Sequence, residues 1–217
     1  MPFKSVVLTP ELKRYVLDVG LRLDHNQRWL LARSAQLEDV AHYQISPDQG
    51  EFLTLLVRAV AATRAIEVGT FTGYSSLCIA KGLPENGHLL CCDASERWTA
   101  IAKQAWQDAG VAHKIDLRVD LAVHTLSALP QRADIDFAFV DADEPTYWEY
   151  HNLLLPLLRP GALILYDNVL YRGQVVDQEA SGNAVAIRDF NRRIAEDDRV
   201  SFVMLPFADG MTMVQKV

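Results

Sequence analysis

From residue 65 onward the chain alternates short apolar runs with longer amphipathic stretches, and this alternation limits what it can fold into more than any other feature. Runs at 65–69, 88–92, 115–119, 135–140 and 162–166 have the length of strands; stretches at 74–82, 96–109, 121–128, 146–158 and 183–195 repeat their apolar residues at helical spacing. Strand–helix–strand succession builds a parallel sheet through right-handed crossovers, with helices on both faces. The last two runs, 201–205 and 211–216, have no helix between them. A short turn containing Asp209-Gly210 joins them, so they pair as an antiparallel hairpin. The expectation is an α/β fold on a seven-stranded, mostly parallel sheet, reversed at its C-terminal end.

The part before residue 65 is helical by pattern. Leu12, Val16, Val19, Leu23, Leu30 and Leu31 form a broken apolar stripe over residues 9–40. Ser46-Pro47-Asp48-Gln49 then reads as a helix start, with Ser46 as N-cap, Pro47 at the first helical position and Gln49 closing a capping box. No repeat or linker divides the 217 residues, so one domain is expected, residues 1–45 being a helical extension that helps cover the site. No apolar run is long enough for a membrane span, and Met1 to Glu11 lack the pattern of a secretory signal. Of the three cysteines, Cys91 and Cys92 are adjacent in a strand and should point to opposite faces; Cys78 stands apart. With no metal-binding or disulfide spacing they read as buried thiols, consistent with a cytoplasmic protein. A net charge of −7 argues against nucleic acid as a partner.

The stretch Ala65-Ile66-Glu67-Val68-Gly69-Thr70-Phe71-Thr72-Gly73-Tyr74-Ser75 runs from a strand through a glycine-containing loop into a helix. Glycines allow a ligand to approach the backbone, and a helix start offers unpaired N–H groups. The spacing is ExGxxxG, not the GxGxxG of a pyrophosphate-binding turn. The acidic Glu67 suits a ligand that carries an ammonium group and no phosphate, as S-adenosylmethionine does. Asp93, at the end of the next strand, stands where an acidic side chain reaches both ribose hydroxyls. Either feature alone also reads as ordinary turn or cap chemistry.

At the ends of the fourth and fifth strands stand Phe139-Val140-Asp141-Ala142-Asp143-Glu144 and Tyr166-Asp167-Asn168. Neighbouring parallel strands end at one rim, so Asp141, Asp167 and Asn168 are candidates for three oxygen ligands to Mg²⁺, Mn²⁺ or Ca²⁺, or else cap the helices that follow.

In these motifs the chain resembles the metal-dependent O-methyltransferases of the caffeoyl-CoA and catechol type, the bacterial members in particular. The resemblance covers residues 43–217. It rests on Ile45-Ser46-Pro47-Asp48-Gln49-Gly50, on residues 67–75, on Ala109-Gly110-Val111, on residues 139–143 and on Pro160-Gly161. It continues in Asp167-Asn168-Val169-Leu170-Tyr171-Arg172-Gly173, Leu205-Pro206 and Asp209-Gly210-Met211-Thr212. It implies a Rossmann-like class I methyltransferase fold, a homodimer, and methylation of one hydroxyl of a small catechol-like phenol chelated to a divalent metal. By position it makes Ile45, Glu67, Gly69, Thr70, Ser75, Asp93, Ala122 and Asp141 cofactor contacts, Asp141, Asp167 and Asn168 metal ligands, and Arg172 a substrate contact. Two positions depart from the family pattern: Tyr171 replaces a tryptophan, and Glu144 stands where the family has lysine. Glu144 can be a catalytic base beside Asp141, a metal ligand, or an acidic residue at a helix start. The rival readings are a nicotinamide-dependent oxidoreductase and a cofactor-binding homologue with little turnover.

Overall fold

The computed structural model describes residues 6–217; the first five residues of the expected extension lie outside the described part. The core is one seven-stranded sheet in the order β3-β2-β1-β4-β5-β7-β6. The strands are β1 (Arg64–Val68), β2 (His88–Asp93), β3 (Ile115–Val119), β4 (Ile135–Val140), β5 (Leu158–Tyr166), β6 (Val200–Leu205) and β7 (Met211–Lys216). The first five pair in parallel, and β7 runs antiparallel to both β5 and β6. The expected architecture is therefore present.

Alternation of side chains along the strands gives the sheet two apolar faces. Ala65, Leu89, Cys91, Phe137, Phe139 and Leu165 bury one face under α3 (Pro47–Ala59), α4 (Tyr74–Gly82) and α5 (Glu96–Asp108). Ile66, Val68, Cys92, Ala138, Val140 and Tyr166 bury the other under α6 (Ala122–Ser127), α7 (Tyr147–Leu154) and α8 (Asn183–Ala195). Cys91 and Cys92 thus face opposite ways, and all three cysteines are free and buried. No helix among the described residues is long and apolar enough to cross a membrane.

Two expected boundaries move. The helix expected at 146–158 is a short 3-10 turn (Glu144–Thr146), α7 and a second 3-10 turn, and β5 already starts at Leu158. Pro160-Gly161 lies inside β5 at a bulge, where Ile135 pairs with Leu158 and Phe137 with Leu163. The stretch expected to be helical over 9–40 is α1 (Pro10–Val19), α2 (His25–Ala35) and a 3-10 turn (Glu38–Tyr43). Gly20 ends α1, its N–H donating to the Val16 carbonyl, and Asp24 with Gln27 builds a capping box that starts α2.

The two helices of the extension are held differently. α1 buries no residue, and Leu12, Tyr15, Val16 and Val19 are exposed. Its side-chain tie to the body is the Lys13–Asp48 ion pair at 2.6 Å. α2 buries Gln27, Leu30 and Ser34, and Ser34 Oγ lies 2.8 Å from Thr72 Oγ1 in the glycine-containing loop. A chain beginning at residue 21 should therefore lose less than about 1 kcal/mol of stability, the scale of a partly exposed ion pair. Leu30→Ala should cost roughly 2–5 kcal/mol, as for a fully buried leucine. Urea unfolding of both variants checks this; a larger loss from the truncation than from Leu30→Ala would refute the assignment.

Candidate active site

The site follows from the register of the sheet. Val68 pairs with Val140, and Val140 with Tyr166, so the next residues, Gly69, Asp141 and Asp167, stand at one level of the rim. The ladder extends to them: Gly69 N–H donates to the Cys92 carbonyl at 3.0 Å, Asp141 N–H to Val68 at 2.9 Å and Asp167 N–H to Val140 at 3.0 Å. Neighbouring strands lie about 5 Å apart. Glu67, Asp93, Asp141 and Asp167 continue the alternation of Cys91, Phe139 and Leu165, which puts all four carboxyls on the α3–α5 side.

The loop after β1 can only be this close because Gly69 lacks a side chain. Its φ is +89°, and a Cβ there would lie 1.9 Å from the Asp141 carbonyl oxygen. Thr70 N–H and Phe71 N–H both donate to Asp93 Oδ2, at 2.9 and 2.8 Å, and Ser95 N–H donates to Oδ1 at 2.8 Å. Asp93, expected to receive a ribose, thus also clamps the loop; a carboxylate has acceptor sites for both tasks. α4 begins immediately after the left-handed Gly73, with Tyr74, Ser75 and Ser76 in its first turn. The extension covers the loop through Tyr43, whose ring meets Phe71 edge-on at 5.9 Å, while Phe71 packs against Trp98 at 5.5 Å. Ile45 is buried in the apolar cluster on the α3–α5 side of the sheet. Ala122 is buried on the opposite face at the start of α6, and Asp120 N–H, two residues earlier, donates to the Asp93 carbonyl at 3.0 Å.

Glu67 is fully buried beneath this loop. Thr70 Oγ1 donates to its Oε2 at 2.8 Å, while Oε1 has no hydrogen-bond partner among the described residues. Burial pushes its carboxyl up to about 7, against the weaker opposing effect of Ser75, Thr70, Cys91 and Ser76 around it. Asp141 is held well above the usual carboxylate range by burial, then by the charges of Asp167, Glu67 and Glu144. Asp167 is pushed up to about 6 by burial, partly offset by Asn168 N–H and Gln49. Gln49 Nε2 donates to Asp167 Oδ2 at 2.9 Å, and Gln49 Oε1 accepts from Ser46 N–H at 2.9 Å. The sequence marks Gln49 only as a cap. That it also reaches Asp167, 118 positions away, depends on α3 lying against the sheet.

Glu144 begins the 3-10 turn after β4. Asn183 Nδ2, at the start of α8, donates to its Oε2 at 2.7 Å, and burial raises its carboxyl, as does the charge of Asp143. Asn168 has a left-handed φ of +58°, which asparagine tolerates, and among the described residues its side-chain amide makes no hydrogen bond. Arg172 is exposed, and its backbone N–H donates to Asp209 Oδ1 at 2.6 Å. The loop residues and the carboxylates therefore meet at one rim, with Glu144 beside them.

The raised carboxyl of Glu67 has a consequence for stability. A group that binds its proton more tightly when folded favours the fold fully below its unfolded pKa of 4.5 and loses that contribution as pH rises through about 7. The shift corresponds to about 3 kcal/mol at most. Glu67→Gln should remove this slope, so that the cofactor-free variant gains stability relative to the parent between about pH 5 and 8 by roughly 2–3 kcal/mol. Urea unfolding across that range measures the difference; a flat difference would mean that Glu67 is already ionised in the free protein.

A family model described as O-methyltransferase matches residues 25–217. The chain is 42% identical over 175 residues to a probable caffeoyl-CoA O-methyltransferase 1 of Dictyostelium discoideum, covering 78% of this chain and 76% of that one. It is 36% identical to caffeoyl-CoA O-methyltransferase 2 of Zea mays, over 99% of this chain and 86% of the relative. Among solved structures, O-methyltransferase TomG of Streptomyces achromogenes, in complex with S-adenosylmethionine, superposes with a TM-score of 0.88 at 30% identity, over 95% of this chain and 96% of that one. These matches displace the oxidoreductase reading, and with the ExGxxxG loop, the buried Glu67 and the 3-2-1-4-5-7-6 sheet they make the chain a member of the class I S-adenosylmethionine-dependent O-methyltransferases of the caffeoyl-CoA and catechol type.

Proposed function

We propose that the protein transfers a methyl group from S-adenosylmethionine to one hydroxyl of a small vicinal dihydroxy aromatic compound, with a divalent cation held by Asp141, Asp167 and Asn168. The observation that carries this reading is the pairing of Val68, Val140 and Tyr166, which sets two carboxyls side by side next to the glycine of the cofactor loop. The relatives named for caffeoyl-CoA support a phenolic substrate.

The donor set fits the groups it would hold. A buried carboxylate oxygen without a partner is costly, and Glu67 Oε1 is one; the ammonium of S-adenosylmethionine is a donor of the right charge for that face. Asp141, crowded by Asp167, Glu67 and Glu144, is a carboxyl that a cation would relieve. No three His, Cys, Asp or Glu side chains gather as a metal site among the described residues; beside the two carboxyls, the Asn168 amide oxygen would be the third donor. Oxygen donors alone favour Mg²⁺, Mn²⁺ or Ca²⁺ over zinc. When bound, such a cation draws neighbouring substrate oxygens together and lowers a phenolic pKa, ordinarily about 10, by several units.

The chain's own residues do the rest. The loop at Gly69 and the carboxylate of Asp93 hold the nucleoside, and Gln49 fixes the orientation of Asp167. Asn183 fixes one oxygen of Glu144, leaving the other to accept the proton of the substrate hydroxyl. A lysine here could also steady the phenolate; glutamate cannot, because its charge opposes the anion.

Activity should vanish with a chelator and return with Mg²⁺. Asp167→Ala should abolish turnover while the dissociation constant for S-adenosylmethionine, measured by calorimetry, changes by less than about threefold, well under one charge-assisted hydrogen bond. Full activity in chelator would remove the cation from the account. Glu144→Gln should lower kcat at neutral pH by at least ~10-fold, with the loss shrinking at alkaline pH, where the hydroxyl ionises unaided. A rate above half that of the parent at neutral pH would rule out the base role.

A further inference from the structure

The segment that follows β5 is held in a backbone shape that most residues avoid. Asn168, Tyr171 and Arg172 have φ of +58°, +44° and +54°, and Gly173 follows at +79°. Outside glycine and asparagine this region is uncommon and strained, and it persists only where the surroundings over-determine it. Those surroundings come from the turn between β6 and β7. Leu170 N–H donates to the Asp209 carbonyl at 2.9 Å, Arg172 N–H to Asp209 Oδ1 at 2.6 Å, and Val169 N–H to the Gly210 carbonyl at 3.2 Å. The contact is so close that a Cβ on Gly210, whose φ is +84°, would lie 2.3 Å from Leu170 Cγ.

The turn is itself anchored to the site. Phe207 packs edge-on against Phe52 of α3, ring centroids 5.5 Å apart, and the same helix carries Gln49, bonded to Asp167. Asp209 is half-buried and near enough for its charge to act on both Asp167 and Glu144. Of the three bonds that grip the segment, the one to Arg172 N–H is made by a side chain, and its acceptor is charged, which makes it the strongest and the one a substitution can remove.

We infer that Asp209 is a positioning residue for methyl transfer: its side-chain bond to Arg172 N–H locks the 168–173 segment so that Asn168 and Arg172 are presented beside Asp167. The inference rests on the proposed reading that Asp167 and Asn168 hold a cation. It gives the reversed hairpin, which the alternating part of the fold does not need, a part in building the site.

The test compares Asp209→Ala, which removes the acceptor, with Asp209→Asn, which keeps an oxygen at Oδ1 and removes only the charge. Three measurements are made on the full chain: amide exchange at Leu170 and Arg172 without metal, Mn²⁺ binding alone by calorimetry, and S-adenosylmethionine binding. Asp209→Ala should speed exchange at Arg172 and weaken Mn²⁺ binding by about 10-fold or more, the effect of one charge-assisted hydrogen bond. Its affinity for S-adenosylmethionine should stay within about twofold, and Asp209→Asn, which keeps a weaker neutral bond, should lie between the parent and Asp209→Ala in exchange and in Mn²⁺ binding. Unchanged exchange and Mn²⁺ affinity in Asp209→Ala would overturn the inference. So would an asparagine variant as weak as the alanine one, which would make charge, not the bond, the active element. Parallel loss of S-adenosylmethionine and Mn²⁺ would reduce Asp209 to a general structural role and overturn it too. Should Asp209→Ala not fold, Asp209→Ser takes its place, with a side chain one bond shorter. A parent protein that binds no Mn²⁺ would overturn the cation reading instead, and exchange at Arg172 would still decide whether Asp209 holds the segment.

Discussion

The register between β1, β4 and β5 is the constraint on which everything at the site depends. With Val68, Val140 and Tyr166 level, the chain leaves all three strands at the same height, and Gly69, Asp141 and Asp167 become neighbours although far apart in sequence. A slip of one residue in either pairing would turn a carboxyl to the opposite face of the sheet. The register is fixed by buried apolar side chains on both faces, so the cost of gathering carboxylates is met by the core beneath them. Gly69 completes the arrangement, since any side chain there would push the loop off the Asp141 carbonyl.

Like charges crowded on one rim destabilise a protein that has nothing to neutralise them. Glu67 and Asp167 both have raised carboxyls for want of solvent, and Asp141 also for want of distance from its neighbours. An arrangement this unfavourable is expected where ligands of opposite charge complete it, and perturbed carboxyls of this kind concentrate at functional sites. The methylating cofactor brings an ammonium and a sulfonium, and the proposed divalent cation would bring two further charges. Both would relieve the same crowded carboxyls.

Much of this was legible in the residues. Strands β1 to β4 fall within a residue of the expected runs, and the Ser46–Gln49 capping box is present as the motif implies. The start of β5 was hidden because Arg159-Pro160-Gly161 carries turn chemistry that the structure uses for a bulge. The apolar stripe over 9–40 did not separate the two helices: α1 buries no residue, whereas α2 buries Gln27, Leu30 and Ser34. The role of Gln49 toward Asp167 could not be read, since it depends on α3 packing across the sheet to the end of β5; nor could that of Asp93 toward Thr70 and Phe71, which depends on how the loop after β1 folds over the end of β2. Glu144 was visible as a departure from the family pattern, but its bond to Asn183 was not.

The central claim is chemical: a cation on this rim selects substrates that offer it two adjacent oxygens. Mass spectrometry of the products formed from isotopically labelled S-adenosylmethionine and Mg²⁺ tests it most directly, with a 1,2-dihydroxy aromatic compound compared against its monohydroxy analogue at equal concentration. The account predicts a singly labelled monomethyl ether from the first and essentially none from the second. Equal labelling of both, or none of either, would contradict it.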